Sequence, residues 1–207
     1  MLDQPVELAA SGRTDAGVHA LAQVCSFKAE TELDCGELLE LIRQYMPEDV
    51  AALSLEEAGP RFHARLSCRE KSYVYRIWNS AAPNVFERKY MYQYPGMLDI
   101  SLMKAAAAEL VGRHDYTSFC SLKRMKKSAV RTVTSIEIAR IGEEITITFT
   151  GDGFLYNMVR IMTGTLIEAG RGERSADNVK SALEAKNREC SGFTAPAHGL
   201  FLKEVMY

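Results

Sequence analysis

No run of this 207-residue sequence is apolar for anything near the roughly 20 residues that a membrane-spanning helix needs. Met1-Leu-Asp-Gln-Pro-Val-Glu also lacks the basic and then apolar layout of a secretion signal, so the expected location is the cytoplasm. The five cysteines (Cys25, Cys35, Cys68, Cys120 and Cys190) are odd in number and scattered, without a Cys-x-x-Cys pair. That argues against a disulfide framework and fits a reducing compartment. The four histidines (His19, His63, His114 and His198) are too far apart for metal-ligand spacing, and no metal is expected. Net charge of either sign is scarce: the total is −2 at pH 7, so any nucleic-acid contact must come from a local basic surface. No internal repeat is visible.

What is present is ordinary for a folded domain, 47% hydrophobic and 25% charged, with enough length to bury a substantial core. Ala20 to Lys28 reads as a strand. Asp34 to Met46 reads as a helix, with Leu38, Leu39, Ile42 and Met46 as its core stripe and Pro47 as its stop. Val50 to Leu55 is a short strand candidate. Lys71 to Asn79 alternates Tyr73, Tyr75 and Ile77 against Val74, Arg76 and Trp78, a clear strand signal. A further strand is expected over 88–94, and a helix over 101–111 capped by Asp99 or Ser101 and ended by Gly112. His114 to Phe119 reads as a loop. Val130 to Arg140 and Glu144 to Thr150 read as a hairpin turning near Gly142. The face carrying Thr132, Thr134, Ile136 and Ile138 is expected to be the buried one. A helix follows over about 154–169, then one from the cap Ser175 to about Asn187, a loop from Ser191 to Gly199, and a last strand from Leu200 to Val205.

Three places carry chemistry. The first is Ala10-Ser-Gly-Arg-Thr-Asp-Ala-Gly-Val-His-Ala20. Two glycines let its backbone turn sharply and let another molecule approach closely. Asp15 is then either the cap of a tight turn or an acid on a rigid loop, two residues from Arg13. The second is Arg160, the single charge between Phe154 and Ile167. It must either reach solvent along its stem or find a partner, because an unpaired buried charge is costly. The third is basic: Arg61, Arg65, Arg69 and Lys71, and then Lys123-Arg-Met-Lys-Lys127 with Arg131 nearby. Such a run is either a solvated rim or a seat for phosphates, which arginine matches in bidentate fashion.

Gly12-Arg-Thr-Asp-Ala-Gly-Val-His19 strongly resembles the active-site motif of the transfer-RNA pseudouridine synthase A family. The resemblance continues through Arg61-Phe-His-Ala-Arg65, Lys71-Ser-Tyr-Val-Tyr-Arg-Ile77, Phe154-Leu-Tyr-Asn-Met-Val-Arg160 and Thr194-Ala-Pro-Ala-His-Gly-Leu200. It implies an α+β fold of two pseudo-symmetric halves, 1–95 and 96–207. Each half would be an antiparallel sheet with helices on its outer face, and a basic cleft would lie between them. It also implies an isomerase that converts uridine to pseudouridine in the anticodon stem-loop of transfer RNA, without cofactor or metal, and acts as a homodimer. Carried over by motif, Asp15 is the essential acid, Tyr73 its neighbour under the base, and Arg160 its ion-pair partner. Period two puts Tyr75 on the same face, so spacing alone does not choose between the tyrosines. Arg13, His19, Arg65, Lys123, Arg124, Lys126, Lys127 and Arg131 are candidate RNA contacts.

Two other classes remain open at this level. A carboxylate glycosidase would need two nearby acids, and only one convincing acid is visible. A transfer-RNA-binding remnant without catalysis is the alternative suggested by the start of the chain. Family members open with an apolar strand, Tyr-Asp-Gly and Gly-Trp-Gln segments and a helix before the Gly-Arg-Thr-Asp loop, which this sequence reaches at Gly12. The expectation is that this chain alone is aggregation-prone and weakly active.

Overall fold

The computed structural model describes residues 4–122 and 128–207. Its elements, in chain order, begin with three two-residue strands, β1 (Ala9–Ala10), β2 (His19–Ala20) and β3 (Cys25–Ser26), and the helix α1 (Cys35–Tyr45). The strands β4 (Glu70–Trp78) and β5 (Tyr92–Gln93), the helix α2 (Ile100–Ala108) and the strand β6 (Gly112–Asp115) come next. They are followed by the hairpin β7 (Val130–Ile141) and β8 (Glu144–Gly151), the helices α3 (Met158–Gly170) and α4 (Ala176–Ala185), and the last strand β9 (Leu200–Met206). The fold is mixed α+β. No helix among the described residues is long and apolar enough to cross a membrane.

The chain forms two compact units. The smaller holds the residues up to Gly12 together with Val24–Cys68. In it β1 pairs antiparallel with β3, and Ser11 N–H donates to Val24 O at 2.8 Å. Asp34 caps α1 in a reciprocal box with Glu37. Arg43 then ties the helix to the following chain through Ala52 O and Leu53 O, both at 2.9 Å. Three expectations fail in this region. The strand foreseen over 20–28 is reduced to β2 and β3, and 50–55 is not a strand. Of the apolar stripe on α1 only Leu38 is buried. A two-stranded sheet offers one short helix little surface to bury against.

The larger unit holds Arg13–Gln23 and Arg69–Tyr207. Its sheet runs in the order β2-β9-β4-β8-β7-β6, with β5 also beside β4. The alternation read for β4 holds: Tyr75 and Ile77 are fully buried, and Ile145, Ile147 and Phe149 of β8 lie on the same core. Helix α3 is buried on nearly every side, so its apolar character is that of a core helix rather than an amphipathic one. Helices α2 and α4 close the core with Met103, Ala106, Val179 and Leu183.

The β7 face is a correction. Val133 is buried along with Ile138, although the two have opposite parity, because the β7–β8 register shifts between Val133 and Ser135. A bulge adds one residue and so exchanges the faces on either side of it. Gly112 opens β6 instead of ending a helix, and β6 takes Gly112–Asp115 out of the foreseen loop by pairing with β7. Only Tyr92–Gln93 of the segment 88–94 is a strand, and α3 starts at Met158, four residues later than expected. Its preceding residue, Asn157, has φ 62°, a left-handed conformation that keeps residues 154–157 out of the helix.

Candidate active site

The Gly12–His19 loop enters the larger unit as a turn, in which Val18 N–H donates to Asp15 O at 3.0 Å. Gly17 supplies φ +81°, a conformation that side chains other than glycine rarely adopt. Asp15 is half-buried and Arg13 is exposed. The loop is anchored directly behind the turn: β2 runs parallel to β9, with His19 opposite Phe201, and Leu21 N–H bonds to Leu202 O at 2.8 Å. His19 stacks on Phe201 and is tilted against Tyr90, with ring centroids 4.9 Å apart in each case, and its Nε2 lies 3.1 Å from Lys89 O.

Tyr73 lies on β4, next to Leu202 of β9 on one side and Phe149 of β8 on the other. It is half-buried and meets the edge of Phe154 at 5.3 Å between centroids. Tyr75, two residues on, is different. It is fully buried, and its hydroxyl donates to Pro196 O at 2.8 Å. Burial, with Tyr92 nearby, pushes its phenol above the ordinary tyrosine range, so it stays neutral and structural.

Arg160 sits in the first turn of α3 and is half-buried. Its Nε donates to Ala195 O at 2.7 Å and its Nη1 to Asn157 Oδ1 at 3.0 Å. The expected Asp15–Arg160 ion pair is not formed among the described residues, because Arg160 is turned toward these two neutral acceptors. A desolvated guanidinium takes whatever acceptors its helix and the adjoining chain present, and here they come from residues 157 and 195.

One segment therefore serves all three residues. Ala195 holds Arg160, and a Cβ on Gly17 would lie 3.4 Å from the Ala197 side chain. Leu202 flanks Tyr73, and Phe201 and Leu202 hold the strand that follows Asp15. In the sequence residues 195–202 read as the end of a loop and the start of the last strand, partly within the Thr194–Leu200 resemblance, with no role in the site attached. Their small residues and Pro196 were the signal for a close approach. Gly199 needs that smallness, because a Cβ there would meet Tyr75 Cζ at 2.8 Å.

Among the RNA-contact candidates, Arg131 lies at the start of β7 with its Nη1 on Ser128 O and Val130 O, at 2.9 and 2.6 Å. Arg65 is exposed in the smaller unit. Lys123, Arg124, Lys126 and Lys127 lie outside the described residues.

Comparison with known proteins agrees with the motif. A family model described as tRNA pseudouridine synthase matches residues 106–207. A tRNA pseudouridine synthase A of Anoxybacillus flavithermus is 44% identical over 204 residues, covering 99% of this chain and 82% of that protein. Proteins of the same name from Bacillus subtilis and Geobacillus kaustophilus are 42% and 44% identical over 202 residues, and this chain covers 82% and 78% of their lengths. Identity of this order along nearly the whole sequence, together with the Gly12–His19 motif and its attachment to residues 195–202, makes this chain a member of the tRNA pseudouridine synthase A family.

Proposed function

We propose that this protein isomerises uridine to pseudouridine in the anticodon stem-loop of transfer RNA, with Asp15 as the essential acid, Tyr73 beneath the base and Arg160 as the electrostatic partner of Asp15. The observation that carries the reading is the common attachment of Tyr73, Arg160 and the loop that bears Asp15 to the segment Ala195–Leu202. The uracil must break its N1 bond to the sugar, turn over, and rejoin C1′ through C5, after which C5 loses its proton. No change of oxidation state occurs, so carboxylate and phenol chemistry is sufficient. Asp15 acts either as a nucleophile or as a base toward the sugar, and Tyr73 is positioned in the proposal to stack on the uracil and accept the C5 proton. A target uridine within a stem must be extruded, at a cost of a few kcal/mol. Arg13 would fill the vacated stack or hold a phosphate. Arg160 is proposed to pair with Asp15 once the RNA is seated, since catalytic contacts tighten in the complex.

The proposal includes a cytoplasmic homodimer on which one transfer RNA lies. It also includes two pseudo-symmetric halves, 1–95 and 96–207, flanking a basic cleft to which His19, Arg65, Lys123, Arg124, Lys126, Lys127 and Arg131 contribute.

The deciding experiment uses transfer RNA labelled with tritium at uridine C5. Isomerisation releases the label to water, whereas binding alone or hydrolysis of the glycosidic bond leaves it on carbon. Release that rises with enzyme concentration is expected, and binding without release would reduce the protein to an RNA-binding module.

Salt gives a second test. Neutralising Lys123, Arg124, Lys126 and Lys127 together is expected to weaken binding to all RNA sequences alike. The slope of log affinity against log salt should fall by about 1 for each RNA phosphate that no longer meets a cation, on duplex-like RNA. An unchanged slope, measured by titration from low to moderate salt, would make this basic run a solvated surface.

A further inference from the structure

The segment running from Ser191 to Ala197 lies along α3 like a strap. Arg160, Gly164 and Glu168 are spaced four residues apart and share one face of that helix. The strap meets each of them in reverse order. Glu168 Oε1 accepts from Phe193 N–H at 3.1 Å, and a Cβ on Gly164 would lie 1.9 Å from Phe193 O. Arg160 O accepts from Ala195 N–H at 3.1 Å, while Arg160 Nε donates to Ala195 O at 2.7 Å. Thr165 adds a side bond, its Oγ1 accepting from Gly192 N–H at 2.9 Å.

Glu168 is itself clasped. Its Oε2 accepts from Arg174 Nε at 3.1 Å and Nη2 at 3.0 Å, and Arg174 Nη1 donates to Cys190 O at 2.8 Å. Both side chains are about four-fifths buried, at 20% and 21% exposure, so solvent weakens the pair less than it would a surface bridge. The pair holds the strap at Phe193 and just before it at Cys190. Glu168 stands eight residues from Arg160, roughly 12 Å along the helix axis, too far to touch a base seated near Asp15.

We infer that the Glu168–Arg174 pair is a positioning device for the reaction: it fixes the strap, and the strap, through Ala195, fixes the guanidinium of Arg160. This rests on the role proposed above for Arg160. Nothing in the sequence pattern marks Glu168 as functional, since a glutamate near the end of a helix is ordinary.

The test compares Glu168→Gln, Glu168→Leu and Arg174→Lys in the full chain at a temperature well below each melting midpoint. Gln keeps an acceptor for Phe193 N–H but loses the charge, whereas Leu loses both. Glu168→Leu is expected to lower kcat for tritium release at least tenfold, to leave KM for transfer RNA within twofold, and to speed amide hydrogen exchange at Phe193 and Ala195. Glu168→Gln is expected to lose less than fivefold in kcat. Unchanged kcat with faster exchange would show that the strap does not position Arg160. Unchanged exchange would show that the pair does not hold the strap. Either result overturns the inference. Should Glu168→Leu fail to fold, Arg174→Lys carries the same test: a twofold to fivefold fall in kcat is expected, and no fall overturns it. A wild-type protein that releases no tritium at all would sink the functional reading instead, and the exchange rates at Phe193 and Ala195 would still report on the clasp.

Discussion

Replacing Gly164 by alanine is expected to lower the melting temperature by roughly 6–12 °C and turnover by more than tenfold. The added Cβ would lie 1.9 Å from Phe193 O and 2.8 Å from Phe193 C, and both are backbone atoms that no rotamer change can remove. Either α3 or the strap must move. Overpacking a filled interior typically costs about 1–3 kcal/mol, and Gly164 is buried within the most enclosed helix of the larger unit. Displacing the strap also strains the hydrogen bonds at Gly192 and Ala195, each worth about 1 kcal/mol net. A loss near 3 kcal/mol corresponds to the stated shift at about 2–4 °C per kcal/mol for a chain of this size. Turnover falls for a separate reason, because Ala195 O is the acceptor that orients Arg160. Gly59→Ala is the control: nothing lies within 4 Å of its Cβ position, so its melting temperature should hold or rise slightly. Calorimetry on the two variants decides the matter. A Gly164→Ala protein that melts within 2 °C of wild type and retains turnover would show that the strap is easily displaced.

Asp15→Ala should reduce tritium release at least a hundredfold while leaving transfer-RNA affinity within a few-fold and the melting temperature within about 2 °C. General acid–base assistance alone contributes about 10²–10⁴-fold, and a lost nucleophile costs more. The small effect on stability has a structural basis. The turn at Asp15 is closed by its backbone carbonyl, which receives Val18 N–H and survives truncation of the side chain. Among the described residues no ion pair involves the Asp15 carboxylate. Arg160→Ala is expected to behave differently. It forfeits charged hydrogen bonds to Ala195 O and Asn157 Oδ1, so it should lose stability as well as turnover. Lysine is not a substitute, because a single ammonium on a flexible stem does not reproduce two donors at fixed angles. Retained turnover by Asp15→Ala, in a preparation free of wild-type enzyme, would remove Asp15 from the mechanism.

Much of the architecture is local and was therefore readable from the residues. The alternation in 71–79 marks β4, the Asp99 and Ser175 caps mark two helix starts, and Gly142 marks the hairpin turn. Periodicity and capping act over a few residues, so sequence neighbours carry the signal. The site motif was legible for a different reason: eight contiguous residues matched a family pattern. Neither source of information reaches across the fold. The parity of β7 depended on a register shift against β8, and only the paired strand reveals it. The incomplete burial of the α1 stripe, with Leu39 and Ile42 only half-buried and Met46 exposed, depended on how little surface its unit offers. The acceptors of Arg160 could not be read from its helix, because one of them, Ala195, lies 35 residues away and is brought alongside by the strap. Gly164, Glu168 and Arg174 carry no local signature for the same reason. A glycine in a helix and an ion pair at its end acquire their meaning only when a distant segment is laid against them.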